Sequence, residues 1–132
     1  MSSEELKNIY KLTNSVKAVL ADDNARHMLK TFNQKTVLGG PNEMSSLINI
    51  YEHAGQLNKT GILDEKNVEK LVEQGLPYQL DMELREAAAK HVKIIPNEIN
   101  VCHRIQHHCV TEIETLAVFD AFRKDLFKRI TK

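Results

Sequence analysis

From Pro96 to Lys132 apolar residues recur every three or four positions, without a glycine or an internal proline to interrupt them. Ile99, Cys102, Ile105, Cys109, Ile113, Leu116 and Phe119 mark one stripe. Val101, Val110, Ala117, Val118, Ala121, Phe122, Leu126, Phe127 and Ile130 widen it beyond a single seam. A period near 3.6 residues is the signature of an α-helix, and a stripe this wide needs neighbours on more than one side. The pattern predicts one long C-terminal helix at the centre of the fold. Pro96 suits its first turn, where a missing N–H costs nothing.

The same period returns along the rest of the chain. A first helix is expected from about Ser3 to Leu20, with Ser2 and Glu5 at capping-box spacing. Asp22 or Asp23 can cap a second, over about 23–35. The run Thr36 to Pro41, with two glycines and a proline, should end it. A third helix is expected from Pro41 or Asn42 to about Leu57, then the turn residues Asn58 to Gly61. Asp64 caps a fourth, with Gly75 placed to stop it before Pro77. A fifth should cover about Pro77 to Val92, and Lys93-Ile94-Ile95 then connects to Pro96. No stretch alternates polar and apolar as a half-buried strand would, and no fixed repeat is present. The expected fold is all-α, an irregular bundle of five to six helices in a single domain over 1–132.

Size and charge narrow the function. A chain of 132 residues can bury a substantial core without disulfides or metal. Eighteen basic and 18 acidic residues balance, which argues against a general nucleic-acid binder. There is no apolar run long enough to cross a membrane. The N-terminal Met1-Ser2-Ser3-Glu4-Glu5 has no apolar core of a signal peptide, and Ser2 is not the glycine that myristoylation requires. The two cysteines, Cys102 and Cys109, are seven residues apart, about 10.5 Å of rise on a helix. A disulfide needs Cα atoms within about 7 Å, so free thiols and a reducing, cytoplasmic setting are expected.

One cluster could carry chemistry. His103 and His107 are four apart and share a helix face; His108 and Glu112 form a second such pair, rotated by about 100°. Either pair could give two ligands to zinc or another transition metal. A site needs three or four, and the remainder would have to come from His27, His53, His91 or an acidic residue. Three histidines within six residues could also charge together near pH 6 and act as a pH switch. The neighbours Cys102-His103 and His108-Cys109 point about 100° apart, which makes neither a natural thiolate–imidazolium dyad. Asp22-Asp23 and Asp64-Glu65 read as helix starts, and Gly39-Gly40 lacks the Lys-Ser/Thr of a phosphate-binding loop. Arg123, Lys124, Lys128, Arg129 and Lys132 read as cations complementing a helix C-terminus.

The expectation is therefore a non-enzymatic protein–protein interaction or regulatory domain without a cofactor. Its partner would be another protein or a second copy of itself, met through Val110, Ala117, Val118 and Ala121. The alternative is a metal-binding helical protein using His103, His107, His108 and Glu112. A second alternative is a small helical enzyme or ligand-binding protein.

Overall fold

The computed structural model describes residues 2–36, 42–90 and 101–131. Among them the fold is all-α and irregular, with eight helices rather than five or six: α1 (Ser3–Leu12), α2 (Val16–Ala21), α3 (Asp23–Thr36), α4 (Glu43–Thr60), α5 (Glu65–Val72), α6 (Tyr78–Lys90), α7 (Val101–Glu114) and α8 (Ala117–Ile130). Of the expected breaker Thr36–Pro41, all but Thr36, which is the last residue of α3, lies outside the described residues, as do His91 and Val92 of the fifth expected helix, the connector at 93–95 and the start at Pro96. No helix among the described residues is long and apolar enough to cross a membrane.

Two of the expected helices are each two. The segment from Ser3 to Leu20 divides at Thr13-Asn14-Ser15. The Thr13 hydroxyl donates to the Tyr10 carbonyl at 2.5 Å, and the Thr13 N–H donates to the same oxygen at 3.0 Å. Ser15 is extended, at φ −143° and ψ 125°, and its Oγ accepts from Ala18 N–H at 3.3 Å to start α2. The single long C-terminal helix is likewise absent. It divides at Thr115-Leu116, where the Thr115 hydroxyl donates to the Glu112 carbonyl at 2.7 Å and Leu116 turns extended, at φ −91° and ψ 131°. In both places a short hydroxyl competes with the i→i−4 ladder by closing a tighter turn.

Other ends follow the sequence. Ser2 Oγ accepts from Glu5 N–H at 3.1 Å, Asp22 Oδ1 from Ala25 N–H at 2.8 Å, and Asp64 Oδ1 from Asn67 N–H at 2.8 Å. Gly61 and Gly75 stand at φ 69° and 96°, the left-handed conformation that terminates helices and that only glycine adopts without strain.

The described residues gather into two compact units, Met1–Ile48 with Val110–Lys132, and Asn49–Cys109. In the first, α8 packs on α1 and α3, and α2 packs on α1 and α3. Its interior holds Ile9, Val19, Leu20, Leu29, Ile113, Phe122 and Leu126. Phe122 meets Phe32 of α3 at 5.6 Å between ring centroids, and Phe119 at 6.4 Å. Asn33 is buried within this interior; its amide donates to Ser45 Oγ at 2.8 Å and to Asn42 Oδ1 at 3.2 Å. In the second unit α5 packs on α6. Its interior holds Ile50, Ala54, Leu57, Leu71, Leu84, Ile105 and Cys109. Each fully buried large aliphatic or phenyl side chain contributes about 1.5–3 kcal/mol.

Candidate functional site

The histidine run lies on α7. His103 and His107 are exposed one turn apart; His108 and Glu112 are partly exposed. His27 is exposed on α3, His53 is partly buried on α4, and His91 lies outside the described residues. Among the described residues no three His, Cys, Asp or Glu side chains converge to hold a metal ion. This weighs against the metal reading, since two donors on one helix face fall short of the three or four that a zinc site requires.

Both thiols face inward and are free: Cys102 is 1% exposed and Cys109 fully buried. Burial disfavours the thiolate, pushing Cys102 up to about 11 and Cys109 to about 12. Neither is a nucleophile at neutral pH. In the same unit, His53 Nδ1 lies 3.1 Å from Gln74 Nε2. That amide also donates to the Lys70 carbonyl at 3.0 Å. A carbonyl can only accept, so the Gln74 atom is the NH2 nitrogen and His53 Nδ1 is an acceptor. His53 is thereby held as the neutral Nε2–H tautomer. Desolvation and then the nearby Lys70 charge lower its pKa below the ordinary imidazole value.

The residues expected to form an interface divide. Val110 is 6% exposed and belongs to the interior, because it sits on the same side of α7 as Ile113. Val118 is partly buried. Ala117 and Ala121 are exposed one turn apart on α8, and helical spacing continues their line to Lys124 and Lys128.

That line borders a cleft between α1 and α8. Tyr10, Asp120, Arg123, Lys124, Phe127 and Lys128 line about 350 Å³. Ile9 and Thr13 face inward on α1, so Tyr10, between them in sequence, is carried to the flank. On α8 Phe122 and Leu126 take the inward face, which rotates Phe127 out by a further 100°. Phe127 is 51% exposed. Its ring lies 5.8 Å from that of Tyr10, tilted by 41°. Arg123 stands 5.8 Å above the Tyr10 ring and donates to Asn14 Oδ1 at 3.2 Å. Lys124 pairs with Asp120 at 3.0 Å. Lys128 forms no ion pair among the described residues.

A second hollow, between α5 and α6, is lined by Glu65, Val68, Glu69, Arg85, Ala88 and Ala89. Its one cation is matched: Arg85 pairs with Glu69 at 2.8 Å and with Asp81 at 2.6 Å. The two clefts therefore differ in kind. At α5–α6 the cation is enclosed by carboxylates; at α1–α8 three cations face one carboxylate beside an aromatic pair. Neither holds a nucleophile beside a base, or two carboxyl groups set for acid–base work.

The sequence reading missed this cleft. It placed Phe127 in the wide apolar surface of the C-terminal helix and the cations at a helix end. The available signal was Phe127 immediately after Leu126, since consecutive residues of a helix point about 100° apart and a neighbour on one side alone covers only one of them. No family model matches the chain, and no curated protein or solved structure matches it.

Proposed function

We propose that this chain is a non-enzymatic protein-interaction domain and that the cleft between α1 and α8 is its docking face. The observation that carries the reading is Phe127, a large aromatic left half in solvent beside Tyr10 in a preformed cleft. Bulky aromatics and arginine are the residue types that anchor protein interfaces. Leaving a phenyl ring in water forfeits stability that burial would provide, so such a ring is informative where it stands in a cleft among charges. Ala117 and Ala121 extend the face as small side chains over which a partner can lie close.

Site-specific photo-crosslinking tests the proposal. A photoreactive phenylalanine analogue at position 127 is expected to give a discrete protein adduct in the native cell. The same analogue at the exposed Lys66, in the other unit, is expected to give none. Loss of the position-127 adduct in a Lys128→Glu background would tie it to the cleft. Equal background from both positions refutes the proposal.

A further inference from the structure

We infer that the occupant of the α1–α8 cleft is an acidic segment of another protein, presenting one bulky apolar side chain flanked by carboxylates. The inference rests on the interaction reading above and adds the chemistry of the partner.

Three observations set that chemistry. The first is size. At about 350 Å³ the cleft lies at the small end of ligand pockets, which run from about 300 to 1,000 Å³. It suits one anchoring side chain, with the rest of the segment running along the surface.

The second is local charge. Arg123, Lys124 and Lys128 line the cleft against a single Asp120, in a chain whose overall charge is zero. Lys7 adds a further cation one turn before Tyr10 on α1, on the same helix face. Two of the lining cations are already oriented, Arg123 by Asn14 and the Tyr10 ring, Lys124 by Asp120. Groups held in place before binding lose less freedom on association. Lys128 has no counter-ion among the described residues. The cleft is a positive focus on a neutral molecule, the arrangement that draws in a complementary negative partner.

The third observation is symmetry. If a second copy of this chain closed on the cleft by a two-fold axis, the same lining of three cations and one carboxylate would face itself. Arg123, Lys124 and Lys128 would repel their counterparts, so the charge pattern disfavours that occupant. Nucleic acid is disfavoured on different grounds. A phosphate backbone needs a basic track several residues long, whereas here Asp120 stands in the lining and the flanking α8 surface is Ala117 and Ala121.

Fluorescence anisotropy with the full chain tests the inference. The probe is a labelled synthetic peptide with a central Leu-Phe pair flanked by glutamates. Its controls replace every glutamate with lysine, or the Leu-Phe pair with serines. The acidic apolar probe is expected to bind, the two controls to bind at least about tenfold more weakly, and affinity to fall between 50 mM and 500 mM salt. Phe127→Ala and Lys128→Glu, both at exposed positions, should each weaken binding by about tenfold or more, the scale of an anchor residue. The circular dichroism melt of each variant is expected to match the wild type. Should one variant fail to fold, the other gives the same readout.

Several results would overturn the inference. One is an acidic probe that binds no better than its lysine counterpart. Another is binding unchanged by both variants. A third is tighter binding of a single-stranded oligonucleotide or of phosphatidylserine vesicles than of the peptide. The photo-crosslink at position 127 separates this failure from that of the interaction reading. A protein adduct without acidic-probe binding removes only the charge inference; absence of both removes the docking face itself.

Discussion

His53 stands on α4 with its Nδ1 accepting from Gln74, and this contact exists only while the ring is neutral. Protonation would set two donors against each other and place a cation near Lys70 in a partly desolvated site. The folded-state pKa is therefore depressed. The sign follows: the contribution of His53 is complete above the ordinary imidazole pKa of about 6.5 and is lost as pH falls through the lower folded value. Urea denaturation should show the wild type losing stability between pH 7.5 and pH 5, and His53→Gln losing measurably less over that interval. Equal losses in the two proteins would show that another group carries the dependence. Nothing in the spacing of the chain singled out His53, because its partner is 21 residues away on another element. The histidines that did attract notice, His103, His107 and His108, gather no third ligand among the described residues. Proximity in sequence on a helix supplies a pair of side chains on a face, whereas a site requires chains from several elements to converge.

At the scale of elements, five helices end on the same device. Thr13, Thr36, Thr60, Thr115 and Thr131 each follow or close a helix, and each hydroxyl donates to a carbonyl three or four residues back. At Tyr10, Leu57, Glu112 and Phe127 the carbonyl also accepts a backbone N–H, so the hydroxyl is a second donor that uses its other lone pair where the ladder ends. Thr31 and Thr111 lie inside α3 and α7 without ending them. A threonine is thus permissive of a stop, and packing decides whether the stop is used. The break between α7 and α8 gives a sharp test. Ala117 is the first residue of α8, its N–H donates to no backbone carbonyl among the described residues, and Leu116 before it already has the extended backbone that a following proline demands. Ala117→Pro should leave stability within about 1 kcal/mol of the wild type, with a small gain from a stiffer unfolded chain. In an uninterrupted helix the same substitution would cost about 3 kcal/mol or more. A midpoint shift of that size in chemical denaturation would mean that helical hydrogen bonding runs through Leu116.

At the scale of the whole molecule, charge is balanced globally and divided locally. Eighteen cations and 18 anions leave the chain near its isoelectric point at about pH 7. A molecule without net charge lacks the long-range repulsion that keeps copies apart. Static light scattering in low salt should therefore find the second virial coefficient lowest near pH 7 and higher at pH 5 and pH 9. A minimum displaced by two pH units would show that titration in the folded state differs from the summed composition. Against this neutral background the concentration of Arg123, Lys124 and Lys128 around one cleft is a local feature, invisible to the composition and to the net charge.

What the sequence determined alone is the class of fold and most of its caps. Apolar residues at helical period, with no alternating run, leave no route to a sheet. Ser2, Asp22 and Asp64 act as short side chains that reach their own backbone within three residues. Cys102 and Cys109 lie inward because they share a stripe with Ile105 and Ile113. These are consequences of local geometry, which a one-dimensional pattern carries in full. Two things were left to the tertiary structure. One is the breaking of apparently continuous helices at Thr13 and Thr115: the apolar period continues on either side of each break, so periodicity passes over it. The other is the fate of the surplus apolar surface. Phe122, Leu126 and Phe127 look alike in sequence, yet α1 and α3 cover the first two and leave the third half in water beside Tyr10. Burial depends on which neighbour arrives, and that is settled only when the chain has closed on itself.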